Sequence, residues 1–139
     1  MSEHEQKKKK MTMSQWIAFG VIMFVLLVVL IILVSNLVAK LRQDWDGFAT
    51  DMQKVCDYYH IAGIEPNGDS IFKMTVDSDI WNSMTTEKKL EYCQGVYKST
   101  CSACWNNKII NSPQTPWIYF YTGAGRVAEI EKDVITVLK

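Results

Sequence analysis

Between Met11 and Ala39 the chain carries no charged residue, and the central block WIAFGVIMFVLLVVLIILV, Trp16 to Val34, is almost wholly aliphatic or aromatic. A bilayer's hydrocarbon core is crossed by about 20 apolar residues in helical form, and this block reaches that length without an interior proline or charge. A cleaved secretory signal also starts with lysines ahead of an apolar run. Its apolar region, however, has about 7 to 15 residues and ends at a small-x-small site. Here the run is longer and exits through SNLVAKLRQDW, with Leu37 where a small residue would be required two positions before Ala39. The reading is an uncleaved signal anchor. It divides the chain into a basic tail (residues 1–14), a transmembrane helix (15–39) and a domain (40–139) that opens with a stalk helix (40–60).

The flanking charges set the orientation. Lys7, Lys8, Lys9 and Lys10 precede the span, whereas Lys40 and Arg42 follow it and are closely trailed by Asp44 and Asp46. Lysine and arginine are retained on the cytoplasmic side, so the expected topology in the plasma (inner) membrane is N-terminus inside and residues 40–139 outside. Topology, with weak attraction to anionic headgroups, accounts for the lysine run without a nucleic-acid site. The formal net charge of zero and the 48% hydrophobic content are averages over these two different regions.

That orientation gives the cysteines their meaning. Cys56, Cys93, Cys101 and Cys104 all fall in the external part, where thiols oxidise and persist as disulfides. An even count in a small domain predicts two bridges, with three pairings open and the stalk helix at Cys56 tied to the second helix. A modest core makes such bridges useful, since each adds about 2 to 4 kcal/mol.

The segment KSTCSACWNNK raises a second possibility, because Cys101 and Cys104 have the spacing of a redox dithiol. Redox cysteines are activated at helix N-termini, where the backbone dipole favours a thiolate; this pair falls at the other end of its predicted helix. A membrane-tethered thiol-disulfide oxidoreductase is therefore the alternative and not the leading reading. Covalent haem needs a histidine where Trp105 stands, and a four-cysteine zinc site lacks a second close pair of ligands. No cofactor or metal is expected. His4 and His60 are the two histidines, Asp77 and Asp79 have a spacing common in capping turns, and TGAGR lacks the Lys-Ser/Thr ending of a phosphate loop. No catalytic residue and no small-molecule substrate is assigned.

Periodicity supplies the architecture. Leu41, Trp45, Phe48, Met52, Val55, Cys56 and Tyr59 recur at spacings of three and four, so the membrane helix is expected to run on into the stalk until the breakers of HIAGIEPNGDS. IFKMTVD alternates as a strand with one buried face, with Lys73 on the other. Thr85 or Thr86 caps a second helix, with Glu87 in its first turn and Leu90, Cys93, Tyr97, Cys101 and Cys104 on one stripe. PWIYFYTGAGRVAEIE reads as a hairpin, and DVITVLK as a further β-rich stretch. The fold class is α+β, with about three strands packed on helices.

An apolar N-terminal helix ahead of a sheet resembles type IV pilins in outline, but Gly20 is followed by VIMFV and no acid lies in the span. The chain is not placed in that family. More telling is the strand around Trp117, Tyr119 and Tyr121, whose opposite face carries Ile118 and Phe120. A strand apolar or aromatic on both faces in a small domain points to a second surface that meets a partner. The functional expectation is a non-enzymatic accessory or docking subunit of a membrane or envelope assembly, in contact with the lipid bilayer and a protein partner and not with nucleic acid.

Overall fold

The computed structural model describes residues 10–68 and 70–139; Lys7, Lys8, Lys9 and His4 lie outside the described residues. The chain divides at Arg42 into an N-terminal unit and a compact unit, Gln43–Lys139. The first unit holds α1 (Met13–Leu41), entered through Thr12, whose backbone amide donates to Gln15 Oε1 at 2.9 Å. None of its residues is buried, and its most apolar window has a mean hydropathy of 3.5. At about 1.5 Å per residue such a helix is longer than the roughly 30 Å hydrocarbon layer. It is a candidate membrane span by length and composition, a description that a signal sequence near an N-terminus also meets.

The compact unit begins with α2 (Trp45–Tyr59). It is separate from α1, where the apolar period predicts one continuous stalk. The cause is Asp44, whose side chain accepts a hydrogen bond from the Gly47 amide at 2.8 Å and starts a new helix. Its own amide donates to the Asn107 carbonyl at 2.9 Å. A capped start satisfies amide groups that a broken helix would leave unpaired, so the interruption carries little cost.

α2 ends at His60, which adopts the left-handed conformation at φ 54°. The segment expected to be only turn then forms β1 (Ile61–Pro66), paired antiparallel with β2 (Ile71–Val76) through the Asn67-Gly68 turn. Gly63 and Pro66 are tolerated because β1 lies at the sheet edge, where a missing donor is harmless, and because the register shifts between Ile61 and Gly63. Asp77 then caps α3 (Ser78–Ser83), accepting from the amides of Asp79 and Ile80 at 2.9 and 3.0 Å. α4 (Thr86–Asn106) starts at the expected cap, Thr85. β3 (Trp117–Thr122), β4 (Gly125–Glu131) and β5 (Val134–Val137) complete the chain.

The five strands make one sheet in the order β1-β2-β3-β4-β5. The β2–β3 pair is parallel, bridged by α3 and α4, and the other neighbours are antiparallel. The α+β class is as expected from sequence, with five strands in place of about three. Alternation sends Phe72, Met74, Val76, Ile118, Phe120, Ala128 and Ile130 to the face covered by helices, where all are buried. Phe48 stacks on Phe72 at 5.2 Å, and Trp81 on Phe120 at 6.5 Å. The sheet's other face, half-buried along β3, carries the candidate site.

Candidate functional site: an aromatic and cationic sheet face

Along β3 the odd positions Trp117, Tyr119 and Tyr121 are half-buried, while Ile118 and Phe120 are fully buried. The sequence-predicted docking residues therefore share one outward face, and their neighbours form the core. That face differs from a bare aromatic surface. Arg126 lies with its guanidinium carbon 4.3 Å from the Tyr119 ring centre and 5.7 Å from that of Tyr121. Lys73, opposite on β2, places its ammonium 4.8 Å from the Tyr121 ring. Each cation meets the negative face of an aromatic ring, a contact worth about 0.5 to 1 kcal/mol where solvent has access.

Hydrogen bonds hold these groups in place. The Tyr119 hydroxyl donates to Glu131, and that bond, with burial second, raises the phenol above its ordinary value. Arg126 donates from Nε and Nη2 to the Tyr121 hydroxyl at 3.3 and 3.2 Å, and from Nη1 to Glu129 at 3.1 Å. Lys73 is 3.7 Å from Glu65. Tyr119, Tyr121, Lys73 and Arg126 with Ile71 and Asn67 line a surface cavity of about 540 Å³. It offers ring edges, tyrosine hydroxyls, the cations Lys73 and Arg126, the Glu65 carboxylate and an amide, and no histidine, cysteine or serine is among these lining residues. The chemistry available is recognition of a surface with acceptor groups and apolar patches. Lys73 was legible as an outward strand position; Arg126 was missed because it follows the turn glycines, where the β3–β4 register shifts between Phe120 and Tyr121.

No disulfide is seen among Cys56, Cys93, Cys101 and Cys104. Helix geometry limits the pairings within α4. Cys93 and Cys104 lie on one helix, α4, eleven positions apart, a rise of about 16 Å at 1.5 Å per residue, and Cys93 and Cys101 are about 12 Å apart on the same count. A bridge needs Cα atoms within about 7 Å, so of the α4 cysteines only Cys101 and Cys104 are close enough. Cys56 lines a groove between α2 and β1, and one turn on, Tyr59 lies against Gly95 of α4.

The thiols are also chemically quiet. Burial pushes Cys93 and Cys104 up to about 12, and burial raises Cys101 and Cys56 as well. The CSAC pair occupies the C-terminal part of α4, where the helix dipole further disfavours a thiolate. Among the described residues no group of three or more His, Cys, Asp or Glu side chains is arranged to hold a metal ion. No protein family, curated protein or solved structure matches the chain.

Proposed function

We propose that this chain is a single-pass membrane protein of the plasma (inner) membrane, with its N-terminus cytoplasmic and the unit Gln43–Lys139 outside. In this reading the domain is a non-enzymatic accessory or docking subunit of a membrane assembly, and the Trp117, Tyr119, Tyr121 face is where a protein partner lies. Lysine asymmetry across the apolar helix supports the orientation. The docking reading rests on one observation: a half-buried sheet face whose tyrosines are pre-positioned by Arg126, Lys73, Glu129 and Glu131. Rigid aromatic and arginine side chains are the groups that most often anchor interfaces, because little conformational entropy remains to be lost on binding.

The oxidoreductase alternative has less support, since a dithiol enzyme needs an accessible thiolate and both thiols of the CSAC pair are buried with raised pKa values. Replacing Tyr119 and Tyr121 together with Ser tests the docking reading. The full chain, purified in mild detergent, is expected to fold yet lose the partner that co-purifies with the unaltered protein. Retention of every partner by the folded double variant would refute it.

A further inference from the structure

α1 carries a second pattern that its polarity does not explain. Between Trp16 and Leu37 its large side chains unbranched at Cβ recur at alternate steps of three and four: Trp16, Phe19, Met23, Leu26, Leu30, Leu33 and Leu37. Of the fifteen other positions in that stretch only Phe24 and Leu27 carry such a side chain, and nine carry Val or Ile. With Trp16 as position a of a heptad, every a and every d is filled in this way. Leucine, valine and isoleucine are all apolar, so lipid has no reason to sort them. Shape matters to a packed neighbour, because helices in a bilayer associate by close packing and not by hiding apolar surface. We propose that this stripe packs against the same stripe of a second copy, so that α1 pairs parallel and in register as a left-handed coiled coil.

The inference rests on the reading of α1 as a membrane span with one orientation, since copies inserted the same way run parallel. A repeat of 3.5 residues keeps one seam against a partner when two helices supercoil left-handedly. The seam also has the length of the span. Trp16 to Leu37 rises about 32 Å at 1.5 Å per residue, against a hydrocarbon layer of about 30 Å. The next positions of the repeat on either side are Thr12 and Lys40, so the pattern stops where the apolar layer does. All seven seam side chains are 49% or more exposed on α1. At about 60 to 120 Å² for each large apolar side chain covered, two helices bury about 800 to 1,700 Å², overlapping the 1,200 to 2,000 Å² of specific interfaces.

The seam fits its own copy better than a different helix. Side chains at a and d enter holes between four residues of the facing helix, and stiff Val and Ile side chains flank most of these holes. Trp16 and Phe19 meet edge to face at 6.4 Å, and next to them Gly20 has open space where a Cβ would stand. That space gives the bulky aromatic end room to pack. Seam residues pass from aromatic rings at the N-terminal end to leucines at the other, a gradient that a parallel copy in register matches layer by layer. Asn36 flanks Leu37 with an amide donor and a carbonyl acceptor, which the same group on a parallel copy can satisfy reciprocally. Such a contact is self-complementary and closes as a two-fold dimer.

The test uses the full chain in isolated membranes, in a Cys56→Ser background where the remaining native thiols are the buried Cys93, Cys101 and Cys104. Single cysteines are placed at each position from Val29 to Leu37 and oxidised with copper phenanthroline. Disulfide-linked dimers are expected from Leu30→Cys, Leu33→Cys and Leu37→Cys, and are expected to be lost from Ile31→Cys, Ile32→Cys and Ser35→Cys. Adding Leu26→Ala and Leu33→Ala should abolish the Leu30→Cys dimer, whereas Val25→Ala and Ile32→Ala should leave it. In a chain that alkaline carbonate leaves in the membrane, four results overturn the pairing: dimers at every position alike, maxima off the stripe, an adduct with a different polypeptide, or no dimer at all. Equal effects of the two alanine pairs overturn it as well. A chain that carbonate releases, or one that has lost α1, overturns the membrane reading and the pairing with it.

Discussion

Replacing Phe120 with Ala and, separately, Tyr121 with Ser makes adjacent changes on one strand with very different expected costs. Phe120 has 0% exposure and packs between Trp81, at 6.5 Å, and Tyr92, at 6.3 Å. Removing a fully buried ring costs about 3 to 5 kcal/mol, about a fifth or more of the stability of a small domain. Tyr121 is half-buried and meets Lys73 and Arg126 at its ring. Its loss forfeits those contacts and a cross-strand pair, about 1 to 2 kcal/mol together. In a domain of this size 1 kcal/mol moves the melting temperature by about 4 to 8 °C, so at the middle of that range Phe120→Ala should lower it by about 18 °C or more and Tyr121→Ser by about 12 °C or less. The assay is thermal or urea unfolding of the full chain in mild detergent, followed by near-ultraviolet circular dichroism. Equal losses would mean that both faces of β3 are buried, and the outward-face assignment would fall.

Two further predictions concern thiols and topology. Cys93 and Cys104 have folded values of about 12 against an ordinary 9, so the folded state holds its protons longer. Stability should be unaffected by them below about pH 9 and should fall as pH rises toward 12, by about 1.4 kcal/mol per pH unit and thiol; Cys93→Ala with Cys104→Ala should flatten that decline in urea titrations. The same burial predicts that iodoacetamide at pH 8 leaves both unmodified in the native protein and labels both in urea, and rapid native labelling would contradict it. In intact cells an N-terminal tag should resist external protease while Gln43–Lys139 is cut or shed, and a protected C-terminus would reverse the assigned orientation.

What the sequence made legible was whatever one period or one cap determines. Thr85 capped α4 as read, and alternation put Lys73, Tyr119 and Tyr121 on one face and Phe72, Ile118 and Phe120 on the other. The missed features depend on contacts between distant segments. Asp44 looked like one polar position of a long helix, but its partner Asn107 lies on the loop end of α4 and fixes a new start. Gly63 and Pro66 read as breakers because a sequence does not announce which strand will be an edge. The cysteine count left three pairings open, and only the helix of α4 shows that Cys93 is too far from Cys101 and Cys104 to pair with either. Arg126 could be recognised only once the β3–β4 turn brought it over Tyr119.

The most direct test of the docking account is photo-crosslinking in intact cells from the face itself. A benzoylphenylalanine placed at Tyr121 should join the chain to one discrete protein, and the same probe at Tyr58, exposed on α2 well away from β3, should not. Capture of the same protein from both positions, or no protein adduct from Tyr121 in a chain that is folded and in the membrane, would contradict the claim that this sheet face holds a partner.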